Sequence, residues 1–159
     1  MGNQTDGVGS DVFKKPSVAA SVAVFGEADA TFLVIVRRHP PFMGHVAFPG
    51  GYLDVDREDV EGTALRELAE ETGVVVSRSD LRLLDVRSRP DRDPRGHVID
   101  IGYLCVLDKS KVAPVLRPSE ESEPKWMSLD ALKEADFAFD HREMFNAATA
   151  RLGLHSNRE

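Results

Sequence analysis

Two apolar runs stand close together near the start of the chain, residues 18–25 (VAASVAVF) and Thr31–Arg37 (TFLVIVR), separated only by the turn GEADA. Neither alternates strictly between apolar and polar residues, and both are rich in β-branched side chains. They read as successive strands, at least one of them buried on both faces. Such a strand needs one layer above it and another below, and the rest of the chain can supply both. A helix pattern runs from about 59 to 72, and residues 74–76, 81–87 and Val98–Leu107 look extended. A brief extended piece at 125–127 then leads to two further helices, 129–135 and 140–152. The expectation is an α/β chain with a mixed sheet covered by helices.

The punctuation fits these elements. Gly73 stands where a left-handed cap ends a helix, Ser128 can cap the start of the next, and Asp140 with Glu143 has the spacing of a capping box. Pro40, Pro41, Gly44, Pro49, Gly50 and Gly51 crowd one stretch that also carries Phe42, Met43, Val46, Ala47 and Phe48. That stretch reads as a pinned loop with a short extended segment, and pinned loops often carry function. Residues 1–16 (MGNQTDGVGSDVFKKP) hold few apolar groups to offset the entropy of ordering and read as a flexible leader. With 159 residues, 42% of them hydrophobic, the remainder (17–159) is expected to form a single domain with one sizeable core.

Composition excludes several functions. A formal net charge of -7 gives no electrostatic support for binding a nucleic acid backbone or an anionic membrane. The single cysteine, Cys105, forms no internal disulfide and offers no sulfur pair for structural zinc, which points to a reducing, cytoplasmic setting. The longest apolar runs are too short to span a bilayer, and no secretory start is present.

The acidity is concentrated. Between 54 and 71 lie Asp54, Asp56, Glu58, Asp59, Glu61, Glu67, Glu70 and Glu71, against only Arg57 and Arg66. At about 100° per residue, Glu67, Glu70 and Glu71 share an arc of roughly 100°, while Ala64, Leu65, Leu68, Ala69 and Thr72 face the other way. Like charges three and four residues apart repel, and all three glutamates sit near the helix C-terminus, where the dipole disfavours anions. On their own they describe a solvated acidic face. A hard divalent cation would turn the liability into a site, since oxygen ligands on neighbouring turns suit magnesium or manganese. Arg66 is placed to brace these carboxylates, with Glu58 as its partner.

At this point the sequence resembles the Nudix hydrolase family, whose signature is Gly, five residues, Glu, seven residues, Arg-Glu, an aliphatic, any residue, Glu-Glu, any residue, Gly, an aliphatic. The match is complete over Glu58, Arg66, Glu67, Leu68, Glu70, Glu71, Gly73 and Val74. One departure stands upstream: six residues separate Gly51 from Glu58, and Tyr52 occupies the signature glycine's place. The loop must bulge by one residue, which bears on how the amides near Gly50 and Gly51 approach a phosphate.

The resemblance implies a Nudix-like α/β/α sandwich and metal-dependent hydrolysis of a diphosphate that links a nucleoside to another group. Carried over by position, Glu67, Glu70 and Glu71 would be metal ligands for Mg2+ or Mn2+, Glu58 an additional or outer ligand, and Arg66 their orienter. Water would attack one phosphorus, with a carboxylate available as base. Glu120, Glu121 and Glu123 occupy a late loop where the family often keeps a further catalytic glutamate, and Glu123 best fits that pattern.

Residues 38–51 (RHPPFMGHVAFPGG), 92–96 (RDPRG) and 138–143 (AFDHRE) are similar to the branch that contains ADP-ribose pyrophosphatases and ADP-ribose-sensing regulators. The implied substrate is a small nucleotide, ADP-ribose first, yielding AMP and ribose 5-phosphate. Arg38, Phe42, Gly50, Gly51, Arg92 and Arg95 are the expected substrate contacts. Arg92 and Arg95 could grip a phosphate or simply pair with Asp91 and Asp93 on the surface. Phe42 or Phe48 could stack on a base, although Phe48 in a Pro-bounded apolar stretch is more often core. His141 reads as structural. Homodimers are common in the branch.

Two rivals stand beside this reading: a domain that senses ADP-ribose without cleaving it, and a hydrolase of nucleoside triphosphates. The intact glutamates and arginine weigh against the sensor. So does the shortness of the stretch after Gly153, expected to leave no room for a DNA-binding module.

Overall fold

The computed structural model describes residues 14–110 and 116–154. Most of the expected leader, residues 1–13, therefore lies outside the described residues, as do residues 111–115 and 155–159. Strands β1 (Ser17–Gly26) and β2 (Thr31–Arg37) form where the apolar runs predict them. They are followed by β3 (Val46–Ala47), β4 (Gly50–Tyr52), helix α1 (Val60–Thr72), β5 (Arg82–Arg87), β6 (Val98–Leu107), β7 (Ser122–Ser128), α2 (Leu129–Glu134) and α3 (His141–Arg151).

One mixed sheet contains all seven strands, in the order β3-β2-β1-β6-β5, with β4 added on β1 and β7 on β2. The pair β1–β6 is parallel and its ten-residue register runs from Ser17↔Val98 to Gly26↔Leu107; the other pairs are antiparallel. Side chains of β1 alternate between two cores, as a period of two requires. Ala20, Val22 and Val24 pack with Ala64 and Leu68 of α1, whereas Ala23 and Phe25 pack with Leu132 of α2 and with Met144, Phe145 and Ala148 of α3. The expected two-sided burial is met by a helix layer on each face. Complete burial of a side chain such as Leu68 contributes about 2 kcal/mol.

Strand β1 changes partner along its length: Val24–Gly26 pair with β2, whereas Ala19–Ser21 pair with β4. The divergence of β2 from β4 opens a cleft in the sheet, and this cleft positions the site.

Three details depart from expectation. Residues 74–76 form no strand, and a 3-10 turn at Arg78–Asp80, closed by a capping box from Ser77, precedes β5. The pinned loop contributes two short strands rather than one, β3 and β4. Asp140 precedes α3 but makes no side-chain capping bond, because its carboxylate is taken by two arginines, and Glu143 pairs with Arg89 instead. The other two expected caps form, with Ser128 accepting from Ala131 N at 3.2 Å and Gly73 at φ 80°, and Asp59 adds one by accepting from Gly62 N at 2.8 Å. Among the described residues no helix is long and apolar enough to cross a membrane.

Candidate active site

The cleft widens into a cavity of about 550 Å³ between the carboxylate face of α1, strands β1 to β4, the 92–95 loop and the residues ahead of α3. That volume is ordinary for a small-molecule site. Glycines let α1 approach the sheet. A Cβ on Gly50 would strike the backbone of Ala20 and Ser21, and one on Gly51 would occupy the Glu67 carboxylate. Gly50 N donates to Glu71 Oε2 at 3.0 Å, so this amide faces the helix. The extra residue relative to the Nudix signature is absorbed in the turn 54–57, where Asp56 takes φ 67° and Asp54 O accepts from Arg57 N and Glu58 N.

Arg66 organises the acidic face. It donates from Nη1 to Glu67 Oε1 at 2.9 Å and to Glu70 Oε2 at 3.2 Å, from Nε and Nη2 to Glu58, and from Nη2 to Tyr52 O. Glu58 also accepts from Thr63 Oγ1 and Asp54 N. Arg66 first, then the Asp54 amide, hold the Glu58 carboxyl down at about 2. Glu67 and Glu71 behave oppositely. Burial raises Glu67, and it pushes Glu71 up to about 8, with the neighbouring Glu67 adding to the rise and the Gly50 amide opposing it.

A half-buried carboxylate beside two others, with no ion pair of its own among the described residues, is a group in want of positive charge. An oxygen-only donor set suits a hard divalent cation, so the residues fit such an ion in chemistry. Among the described residues no three acidic, histidine or cysteine side chains converge on one point. The reason is visible in the bonds: Arg66 draws Glu67 and Glu70 to itself, and Gly50 holds Glu71.

Beneath the cavity lies a second charged group. Asp140 receives Arg92 through Nε at 2.8 Å and Nη2 at 2.6 Å, and Arg87 Nη1 at 2.8 Å. Asp100 receives Arg87 Nη2 at 2.6 Å and Ser21 Oγ. His141 Nδ1 accepts from Phe48 N at 2.9 Å, so its proton sits on Nε2, 3.8 Å from Asp100. Burial, then Arg87, keep this imidazole neutral, with its pKa well below the usual value. Every one of these groups is buried.

The residues singled out from sequence separate into two sets. Glu67, Glu70, Glu71, Arg66, Gly50, Gly51, Arg92 and Arg95 all line the cavity; Glu58 stands behind Arg66. Arg92 pairs with Asp140 rather than Asp91, whereas Arg95 does take Asp93, at 3.0 and 2.8 Å. Arg38, Phe42 and Glu123 do not line it. Arg38 turns outward to Ser119 O and Glu123, at 2.6 and 3.4 Å. Phe42 packs edge-on against Phe139, and Phe48 is core.

Sequence reasoning missed Arg37, Phe139, Asp93, Asp100 and Ser21 as lining residues, and chose Glu123 where Glu121 reaches the cavity. Strand parity offered a signal for Arg37. Ile35 and Arg37 share one side of β2, so a cavity on that side takes Arg37 and not Arg38.

The fold is a mixed sheet between helix layers, and its cavity has an acidic helix on one wall. The NUDIX domain family model matches residues 15–148, and the chain belongs to this family. Among curated relatives it is 37% identical over 134 residues to an ADP-ribose pyrophosphatase of Methanocaldococcus jannaschii, covering 84% of this chain and 73% of that one. It is 28% identical to the ADPR responsive transcriptional repressor NtrR of Acinetobacter baylyi, covering 88% of this chain but only 56% of the repressor, just over half its length. Among solved structures, the NUDIX domain of Shewanella oneidensis NrtR complexed with ADP ribose superposes with a TM-score of 0.78 at 28% identity, covering 88% and 90% of the two chains.

Proposed function

We propose that the cavity binds ADP-ribose and that the chain hydrolyses its diphosphate: water adds to one phosphorus, the bridging bond breaks, and AMP and ribose 5-phosphate leave. The observation that carries this reading is the acid surplus of α1 facing arginines across one nucleotide-sized cavity. The pyrophosphatase relative and the ADP-ribose complex of a similar domain support the choice of substrate.

Nudix hydrolases generally use divalent metals, and here Glu67, Glu70 and Glu71 would hold magnesium, or manganese, with Glu58 behind them. When bound, the ion supplies charge neutralisation for the diphosphate and lowers the pKa of a bound water. The protein's own groups do the rest. Arg66 keeps the glutamates from splaying, and the Gly50 amide orients Glu71. Of Glu120 and Glu121 ahead of β7 and Glu123 within it, only Glu121 lines the cavity, and its carboxylate makes no ion pair among the described residues, so it is the group we assign to take the proton of the attacking water. The buried Arg87–Asp140–Arg92 group keeps the cavity floor rigid.

The test is a substrate panel with product identification. With magnesium the protein should convert ADP-ribose to AMP and ribose 5-phosphate, faster than it acts on nucleoside triphosphates. Binding of ADP-ribose with no metal-dependent cleavage would replace this reading by the sensor reading, which the similarity to the repressor favours.

A further inference from the structure

Four arginines line the cavity, and three of them are ion-paired with acids. Arg66 has Glu58, Glu67 and Glu70; Arg92 has Asp140; Arg95 has Asp93. Arg37 is different. Its Nε donates to Pro41 O at 2.8 Å, and its two terminal nitrogens have no hydrogen-bond partner among the described residues although the side chain lines the cavity. Burial, then the like charge of Arg95, act against its charge, while the nearby carboxylates of Glu71, Asp93 and Glu121 favour it without hydrogen bonding to the fork. An arginine held at one corner with its fork left open is set up to receive an anion.

Its neighbours fix the fork in place. The Arg37 guanidinium lies 5.1 Å from the centroid of the Phe139 ring, and the Arg95 guanidinium lies 5.3 Å from the same centroid. Arg95 also lies 5.3 Å from the Tyr52 ring. Two cations thus share one aromatic face system, a favourable arrangement for each cation with the ring but an unfavourable one between the cations. Phe139 itself is strained, at φ 52°, and its ring meets that of Phe42, which is at φ 60°, with 4.9 Å between centroids. Bulky residues adopt positive φ rarely, and such strain persists where surrounding structure enforces it.

We propose that Arg37 is an anion-binding residue of this cavity and that it forms, with Arg95, a two-arginine grip splinted by Phe139 that takes a phosphate group of the substrate. Phe139 is a positioning residue, and Phe42 acts behind it. The grip deepens the proposed hydrolase reading, because it supplies the positive wall opposite the carboxylate helix. The incoming phosphate relieves the repulsion between the two guanidiniums and completes the hydrogen bonding of Arg37.

Calorimetric titration with inorganic pyrophosphate in magnesium buffer tests the grip without requiring turnover. Arg37→Ala should weaken binding roughly ten- to a hundred-fold, the usual cost of charge-assisted hydrogen bonds. Arg37→Lys should recover only part of it, since an ammonium keeps the charge but lacks the fork and the flat face. Phe139→Leu should raise KM for ADP-ribose several-fold with a smaller change in kcat. Unaltered pyrophosphate affinity in Arg37→Ala, or a wild type that binds no pyrophosphate, overturns the grip. Should Arg37→Ala not fold, Arg37→Lys decides alone, and full affinity in that variant overturns it. Arg37-dependent pyrophosphate binding without cleavage of ADP-ribose would instead remove the hydrolase reading and leave the grip standing.

Discussion

Two arginine–carboxylate clusters flank the cavity, and they are built on opposite principles. Under the floor, Arg87 and Arg92 meet Asp100 and Asp140 in a buried, closely balanced set in which each charge has an opposite partner within 2.8 Å. On α1, the single Arg66 serves Glu58, Glu67 and Glu70, and Glu71 has a backbone amide but no ion pair among the described residues. Balance makes a rigid support, because removal of any member strands a buried charge. Surplus leaves an appetite for cations. Charge count relative to burial, rather than charge itself, separates the part that holds the fold from the part we propose does chemistry.

Breaking the balanced cluster should have the largest effect. Asp140→Ala leaves two buried guanidiniums short of a partner and should cost about 3–5 kcal/mol, lowering the melting temperature by roughly 10 °C in thermal unfolding. The surplus cluster should respond in the reverse sense. Glu71→Gln should cut AMP release from ADP-ribose by about a hundred-fold or more while the circular dichroism spectrum and melting temperature hold or improve. A matching loss of stability in Glu71→Gln would collapse the distinction between the clusters.

Titration sharpens it further, because the two clusters carry opposite linkage. Glu71 ionises in the unfolded chain near the ordinary value of 4.5 but in the fold only at about 8, so between these values unfolding releases a proton and stability falls as pH rises. His141, depressed in the fold from 6.5, does the opposite: the unfolded chain binds the extra proton, and stability rises with pH up to about 6.5. The window from pH 6.5 to 8 therefore belongs to Glu71. Metal-free protein should lose up to about 2 kcal/mol across it, read as a fall of about 5 °C in melting temperature. Magnesium should restore the loss at pH 8, and Glu71→Gln should flatten the slope. The smallest effect is expected from an exposed pair outside both clusters: Arg38→Ala should change unfolding free energy by less than about 0.5 kcal/mol in a denaturant titration.

Local pattern made much of this legible. The spacing of Glu67, Glu70 and Glu71 against Ala64 and Leu68 fixes a carboxylate face and a buried face on any α-helix, and α1 has both. Leu65 and Ala69, also expected on the apolar side, are only half-buried, because contact centres on Ala64, Leu68 and Thr72. The turn chemistry of Gly73 and Ser128 is equally local. Asp140 shows where local reasoning stops. Its capping-box spacing is genuine, but two arginines 48 and 53 residues away in sequence compete for the carboxylate and win, since charge-assisted bonds in a dry interior are stronger than a cap.

The cavity's arginines divide the same way. From the sequence alone came the layered α/β architecture, the acidic helix and its bracing arginine, because each depends on periods of two or 3.6 residues that any short segment carries within itself. Which arginine of the 37–38 pair faces the cavity, which glutamate of 120, 121 and 123 reaches it, and that Arg92 belongs to Asp140 were decided by tertiary structure. Those outcomes depend on how β2 registers with β3 and β7 and on partners brought together from distant parts of the chain. No local period encodes that.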